Sequence, residues 1–178
     1  MNLASHRRAP MATSALDSTT SSNQNVESSD SHIITWETTD GTVTFPARHG
    51  ELLRTAALRH GQISPHNGRA NLINCRGLGT CGTCAVMVEG ASCQRNSIET
   101  ARLSLPPHSL REQEDSLEDG TALRLACQLQ VCNDLRVRKG TGFWGQRVEE
   151  LAGFSQATKP FGDLEYLLDR QSPSEEDR

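Results

Sequence analysis

Three cysteines fall within ten residues in the stretch Cys75-Arg-Gly-Leu-Gly-Thr-Cys81-Gly-Thr-Cys84. The residues between them are mostly small, and glycine allows a backbone to wrap closely around a compact group. A fourth thiol, Cys127, follows after 42 intervening residues, in a run whose apolar residues alternate with polar ones. Thiols in this pattern indicate a metal centre.

The spacing C-x5-C-x2-C with a distant fourth cysteine favours a [2Fe–2S] cluster. Such a cluster needs four thiolates, two on each iron, and N–H groups of a glycine-rich loop stabilise the negative charge on the sulfurs. Zinc also binds four thiolates, but usually through two C-x2-C pairs, and only one pair is present here. A redox pair formed by Cys81 and Cys84 would leave Cys75 without a role. A Rieske centre needs two histidine ligands, and no histidine closely follows these cysteines.

The two remaining cysteines, Cys93 and Cys132, are predicted to be free thiols, because unpaired cysteine behaves as a small hydrophobic residue. Six cysteines in 178 residues are well below the ~8–10 % that is typical of a disulfide scaffold. The chain is therefore not expected to depend on a disulfide framework.

Upstream of the loop, the pattern predicts a hairpin and a helix. The runs at 32–37 and 42–45 flank Asp40-Gly41 and are rich in β-branched residues, as in a β-hairpin. Pro46 is expected to end the second strand. Residues 49–61 predict a helix that ends at a left-handed Gly61. Its buried stripe consists of Leu52, Leu53, Ala56, Ala57 and His60.

Downstream of the loop, residues 85–89 predict a strand, and residues from Asn96 predict a helix that ends before Pro106. Residues 122–131 alternate over ten positions, which predicts a strand with Cys127 on its apolar face. Residues 135–138 predict a last short strand. This order predicts an α+β domain, with a mixed β-sheet packed on one main helix and a long cluster-binding loop.

The chain is expected to comprise a tail at 1–31, a domain at 32–147 and an acidic C-terminal extension at 148–178. The tail is Ser/Thr-rich and has no acid before Asp17, which is typical of either a disordered tail or an organelle transit peptide. Residues 32–147 carry 13 basic and 11 acidic side chains, while the whole chain has a net charge of -4. This charge argues against a nucleic-acid-binding protein. The longest apolar run, five residues at 84–88, is far short of the ~20 that a membrane helix needs.

Residues 74–85 and the later Arg124-Leu-Ala-Cys-Gln128 resemble the [2Fe–2S] ferredoxin family, which has the β-grasp fold. The resemblance covers residues 32–140 and implies that Cys75, Cys81, Cys84 and Cys127 are the cluster ligands. The stretches 64–69 and 142–146 are most similar to ferredoxin-like proteins of plants and algae. The loop is one residue longer than in photosynthetic plant-type ferredoxins. It has the spacing of the adrenodoxin-like group, but Ala85 stands where that group usually has histidine.

The resemblance implies one-electron transfer to a redox partner protein, a reductase or an acceptor enzyme, and not an enzymatic activity. The chain would act as a soluble carrier or as an electron-relay subunit of a larger complex. The alternative is a structural or assembly module that is stabilised by zinc or by the cluster. A chloroplast location is expected, with a mitochondrion or a bacterial cytoplasm as alternatives.

Several other features have expected roles. The acids at 112–119 either steer a basic partner or form a solvated loop. Arg76 is expected to be a solvated side chain and Trp144 a core residue. The amphipathic stretch Phe161, Leu164, Leu167 and Leu168 either caps the domain or docks into a partner.

Overall fold

The computed structural model of the protein describes residues 31–109 and 120–157. Residues 1–30 of the tail predicted at 1–31, the acidic run at 112–119 and the amphipathic stretch at 161–168 lie outside these residues, and Ser31 is the first residue of β1. The described strands are β1 (Ser31–Thr38), β2 (Gly41–Arg48), β3 (Ala85–Glu89), β4 (Thr121–Leu125), β5 (Leu135–Arg138), β6 (Gly140–Thr141) and β7 (Arg147–Leu151). The described helices are α1 (Leu53–Arg59) and α2 (Ser97–Leu103), and a 3₁₀ turn spans Gly68–Asn71.

Five strands form one mixed sheet in the order β2-β1-β5-β3-β4. The pairing of β1 with β5 is parallel and the other pairings are antiparallel. Buried residues of the sheet, including Ile34, Trp36 and Val137, form one core with Leu53 and Ala56 of α1. The predicted α+β class is confirmed: a mixed sheet packs on one main helix, in the β-grasp arrangement that the resemblance implies.

The predicted hairpin is present, but Pro46 does not end its second strand. β1 and β2 pair from Thr38 opposite Gly41 to Ser31 opposite Arg48, and Pro46 lies opposite Ile33. Because β2 is an edge strand, a residue without an N–H group is tolerated where that group would point away from the sheet. The expectation for Pro46 was wrong because it depends on the strand order, which is a tertiary property.

The predicted helix at 49–61 begins later and ends differently. The backbone from Gly50 to Leu53 instead bonds to residues 129–131, through Gly50 N to Val131 O and Leu53 N to Leu129 O. The left-handed residue after the helix is Gln62, with φ 50°, and not Gly61. Gly61 is needed for space, because a Cβ there would lie 2.6 Å from the ring of Phe45. His60, which was placed in the buried stripe, is exposed.

The long strand predicted at 122–131 is also wrong in its second half. β4 ends at Leu125, and the chain turns there, since the N–H groups of Gln128 and Leu129 both donate to Leu125 O. Cys127 therefore lies in a tight turn and not on the face of a strand. The apolar alternation continues to Val131 because Leu129 and Val131 are buried beside the start of α1.

Cys93 and Cys132 form a disulfide, which corrects the prediction that both are free thiols. Their Cα atoms are 6.3 Å apart, within the range that a disulfide spans. The sheet explains this proximity, because β3 and β5 are antiparallel neighbours. The segment that leaves β3 therefore lies beside the segment that enters β5, and Ser92 N and Oγ both donate to Asn133 Oδ1.

Residues 147–157, most of which were assigned to the C-terminal extension, pack against the domain. β7 pairs with β6, and Ala152 N donates to Lys139 O at 2.7 Å. Ser64 N donates to Ser155 O at 2.7 Å, which joins this segment to the chain before the cysteine loop. No helix within the described ranges is long and apolar enough to cross a membrane.

Candidate metal centre

The cysteine loop runs from the 3₁₀ turn to β3 and is held at both ends by side chains. Asn74 Nδ2 donates to Ala70 O and Asn71 O, and its Oδ1 accepts from Arg76 N at 3.0 Å. α2 packs closely over the loop at Gly79 and Gly82, and both glycines have a positive φ that other residues rarely adopt. A Cβ at Gly79 would lie 2.6 Å from Ile98, and one at Gly82 would lie 2.8 Å from the Arg102 guanidinium.

The four predicted ligand cysteines are brought together, and their sulfurs form two close pairs. Cys75 Sγ and Cys81 Sγ are 3.2 Å apart, and Cys84 Sγ and Cys127 Sγ are 3.3 Å apart. None of the four is in a disulfide. Cys84 and Cys127 are buried, whereas Cys75 and Cys81 are half-buried. Two pairs of thiols match a centre with two irons that each take two thiolates.

The turn after β4 and the end of the loop are joined by their backbones. Ala126 N donates to Cys84 O at 3.1 Å, so the turn delivers Cys127 directly beside Cys84. Within the described ranges, no group of three or more His, Cys, Asp or Glu side chains is arranged to hold one metal ion. Hydrogen bonding to Cys127 and then to Cys81 lowers the pKa of Cys75, and hydrogen bonding to Cys127 lowers the pKa of Cys84. The same contacts raise the pKa of Cys81 and Cys127. Neighbouring thiols therefore do not all ionise together unless a cation offsets their charge.

Gln128 lies beside the ligand sulfurs and is held there by Asn96, which are contacts that the sequence did not predict. Gln128 Nε2 donates to Gly77 O at 2.8 Å and lies 3.6 Å from Cys127 Sγ. Asn96 Nδ2 donates to Gln128 Oε1 at 3.0 Å and so fixes the Gln128 amide. Asn96 also caps α2, because its Oδ1 accepts a hydrogen bond from Glu99 N. The start of α2 therefore positions a polar N–H group toward a ligand sulfur.

Cys81 is also contacted by a hydrogen-bonded series of side chains that consists of Thr83 and His66. Thr83 Oγ1 lies 3.2 Å from Cys81 Sγ and 2.9 Å from His66 Nδ1. His66 is buried, and its Nε2 has no hydrogen-bond partner among the described residues. Burial, and next the charge of Lys139, lower the pKa of His66 to about 3. The imidazole is therefore neutral at physiological pH.

A buried ammonium group holds the loop on both sides of Cys84. Lys139 Nζ donates to Thr83 O at 2.9 Å and to Ala85 O at 2.8 Å. Burial lowers the pKa of Lys139 to about 8, while the nearby thiols of Cys84 and Cys81 oppose this shift. A cation at this position reduces the electrostatic cost of placing negative charge on the sulfurs.

The cluster loop also receives two donors at Cys81 O. Arg102 Nη2 donates at 3.0 Å, and the indole Nε1 of Trp144 donates at 3.1 Å. Trp144 is half-buried against the loop, so it is a support for the site more than a core residue. The spacing of residues in the sequence carries no signal for these contacts of His66 and Trp144 with the loop.

The comparison with known protein families agrees with this geometry. The model of the family described as "2Fe-2S iron-sulfur cluster binding domain" matches residues 37–132, more than half of the chain and all four cysteines. The protein belongs to this family, and its cofactor is a [2Fe–2S] cluster. A search of curated proteins found no significant match to the chain.

Proposed function

We propose that the protein transfers single electrons through a [2Fe–2S] cluster that is bound by Cys75, Cys81, Cys84 and Cys127. The observation that carries this proposal is the meeting of four thiols, from two distant chain segments, in two pairs inside a domain of this family. When bound, such a cluster accepts and releases one electron. Members of the family are generally electron carriers, and the proposed role here is a carrier or a relay subunit and not an enzyme.

The surrounding residues support this role by stabilising charge without moving protons. Reduction adds a negative charge to the centre, and the Lys139 ammonium and the Gln128 N–H group are fixed beside it. The side of the centre that is formed by Cys84 and Cys127 is buried, whereas Cys75 and Cys81 are half-buried and lie nearer to the surface. The exposed side of the loop is therefore the side from which a redox partner would approach.

The ligand set is tested by single substitutions. The Cys127→Ser variant is expected to lose or destabilise the cluster, because serine replaces a thiolate ligand with a weaker one. The matched control is Cys93→Ser, which removes a sulfur from the disulfide and leaves the four proposed ligands in place. Visible absorption and iron content, measured on anaerobically purified protein, report the outcome. A cluster that is lost in Cys93→Ser and retained in Cys127→Ser would overturn the assignment.

We further propose that the protein acts in a chloroplast, as the similarity of residues 64–69 and 142–146 to plant and algal ferredoxin-like proteins suggests. The Ser/Thr-rich segment 1–31, with Arg7 and Arg8 near its start, would serve as a transit peptide. The test is imaging of residues 1–31 fused to a fluorescent protein in a plant cell. Accumulation in chloroplasts supports the proposal, and a mitochondrial or diffuse cytoplasmic signal contradicts it.

A further inference from the structure

The exposed apolar side chains of the domain are concentrated on the side of the cysteine loop. Leu72, Ile73 and Leu78 belong to the loop region, and Ile98 and Leu105 belong to α2 and the turn that follows it; all five are 40–68 % exposed. Contacts join the two groups, because Ile98 packs over Gly79 and Arg102 donates to Cys81 O. We call these five residues, together with Arg69, Arg76 and Arg102, the cluster-loop face.

The charged side chains of the cluster-loop face all have one sign. No Asp or Glu occurs between Glu51 and Glu89, whereas this stretch contains four arginines, including Arg69 and Arg76. In residues 90–109 the single acid is Glu99, and its carboxylate is buried and bonded to Arg124. The described part of this face therefore presents guanidinium groups and apolar side chains without an exposed carboxylate.

We propose that the cluster-loop face is the docking surface for a redox protein whose own face carries carboxylates around an apolar centre. This inference rests on the proposed electron-transfer function and specifies its partner. Opposite charges steer encounter and fix orientation, and contiguous apolar side chains exclude water at the contact. Docking there places the partner over half-buried Cys75 and Cys81, on the side of the centre that is nearest to solvent.

Small redox ions test the charge of this face without knowledge of the partner. The reduced full-length protein is mixed with hexacyanoferrate(III), an anion, or with hexaamminecobalt(III), a cation, at increasing salt concentration. We expect oxidation by the anion to slow with salt and oxidation by the cation to accelerate, because salt screens attraction in the first case and repulsion in the second. The opposite pair of trends would overturn the proposal.

Matched substitutions locate the effect. The Arg69→Gln variant is expected to weaken the salt dependence with the anion severalfold, whereas Arg138→Gln, the same change on the exposed side of β5, leaves it unchanged. A variant in which the acids at 112–119 become amides examines whether that segment governs the approach instead. A larger change in this variant than in Arg69→Gln contradicts the proposal.

Two readouts do not require electron transfer. Hexacyanochromate(III) is a paramagnetic anion that does not exchange electrons here, and it is expected to broaden the methyl signals of Leu72, Ile73 and Leu105 more than that of Ile33. Sedimentation of the full-length protein reports whether a second copy covers the face. A concentration-dependent dimer that protects these methyl groups from the ion would overturn the proposal, and a monomer supports it. A protein without a cluster would fail only the oxidation experiment, which separates this inference from the proposed function.

Discussion

At the residue scale, buried polar groups surround the proposed ligands. His66 contacts the loop through Thr83, and burial together with Lys139 lowers the pKa of its imidazole to about 3. In the unfolded chain the same group titrates near 6.5. Between about pH 6.5 and pH 3, the unfolded chain therefore binds a proton on His66 that the folded protein does not bind.

This difference predicts part of the pH dependence of stability. Because only the unfolded chain binds a proton on His66 as the pH falls from about 6.5 toward 3, the free energy of unfolding decreases over that window. The His66→Gln variant is expected to lose less stability between pH 7 and about pH 5 than the natural protein. Denaturant unfolding at the two pH values measures this, with exposed His49→Gln as control. Equal losses in the natural protein and in His66→Gln would contradict the pKa assignment.

Lys139 is expected to affect the reduction potential. Its ammonium group is bonded to the carbonyls on both sides of Cys84, and reduction adds negative charge nearby. Removing this cation in Lys139→Met is expected to shift the potential to a more negative value, because the reduced state loses more stabilisation than the oxidised state. Arg138→Gln, with the same charge change on an exposed neighbour, is the control. Equal potentials for Lys139→Met and the natural protein would show that Lys139 serves only as a structural support.

Among individual residues, the sequence indicated the four thiols that the fold brings together, but it missed the Cys93–Cys132 disulfide and the groups that surround the four thiols. The spacing of Cys75, Cys81 and Cys84 is local and specific, so the candidate ligands were predictable. The contacts of His66 and Lys139 depend on segments that are 17 and 56 residues away in the chain. No spacing rule relates such positions, and only the fold brings them together.

At the scale of secondary structure, one buried ion pair connects α2 to β4. Glu99 accepts from Arg124 Nε at 2.9 Å and from Arg124 Nη2 at 3.0 Å, and its carboxylate also accepts from Leu125 N. Arg124 Nη1 additionally donates to Cys93 O, next to the disulfide. The helix that covers the cluster loop is thereby fixed to the strand that leads into Cys127.

Breaking this pair is expected to destabilise the protein strongly. Glu99→Gln leaves a buried guanidinium without its counter-charge, which costs about 3–5 kcal/mol. Glu89→Gln is the matched control, because Glu89 and its partner Arg136 are both exposed and such pairs contribute about 0–1 kcal/mol. Denaturant unfolding of both variants provides the comparison. A similar loss in both would contradict the importance of the buried pair.

The disulfide is expected to stabilise the folded protein without affecting the visible absorption of the cluster. Its cysteines are separated by 39 positions, for which the chain-entropy account gives about 4 kcal/mol of stabilisation. The double variant Cys93→Ser/Cys132→Ser is expected to lose up to that amount and to keep its visible spectrum. Unfolding under oxidising conditions measures the loss. An unchanged free energy of unfolding would mean that the bond does not form or does not stabilise the folded state.

The elements were predictable where the signal is local and were missed where it depends on neighbours. β3 at 85–89 and the Asn96 cap of α2 match the predictions, because alternation and capping act within a few residues. The disulfide was missed because it follows from the pairing of β3 with β5. The strand through Cys127 was extended too far, because alternating apolar residues continue through a turn when both sides of the turn are buried.

At the scale of the whole molecule, the distribution of charge matters more than its sum. The net charge of -4 arises from the terminal segments and the acids at 112–119, while residues 52–109 carry six arginines and two acids. A partner that approaches the cluster-loop face therefore meets cationic side chains, although the chain as a whole has a net negative charge. Salt dependence of electron transfer is the property in which this distinction is measurable.

We propose above all that this chain holds one redox-active [2Fe–2S] cluster. The most direct measurement is a combined analysis of metal, sulfide and reducing equivalents on anaerobically purified full-length protein. We expect about two irons and two sulfides per chain, and visible absorption that bleaches reversibly with about one electron. Stoichiometric zinc without visible absorption, or bound iron that does not accept an electron reversibly, would contradict this proposal.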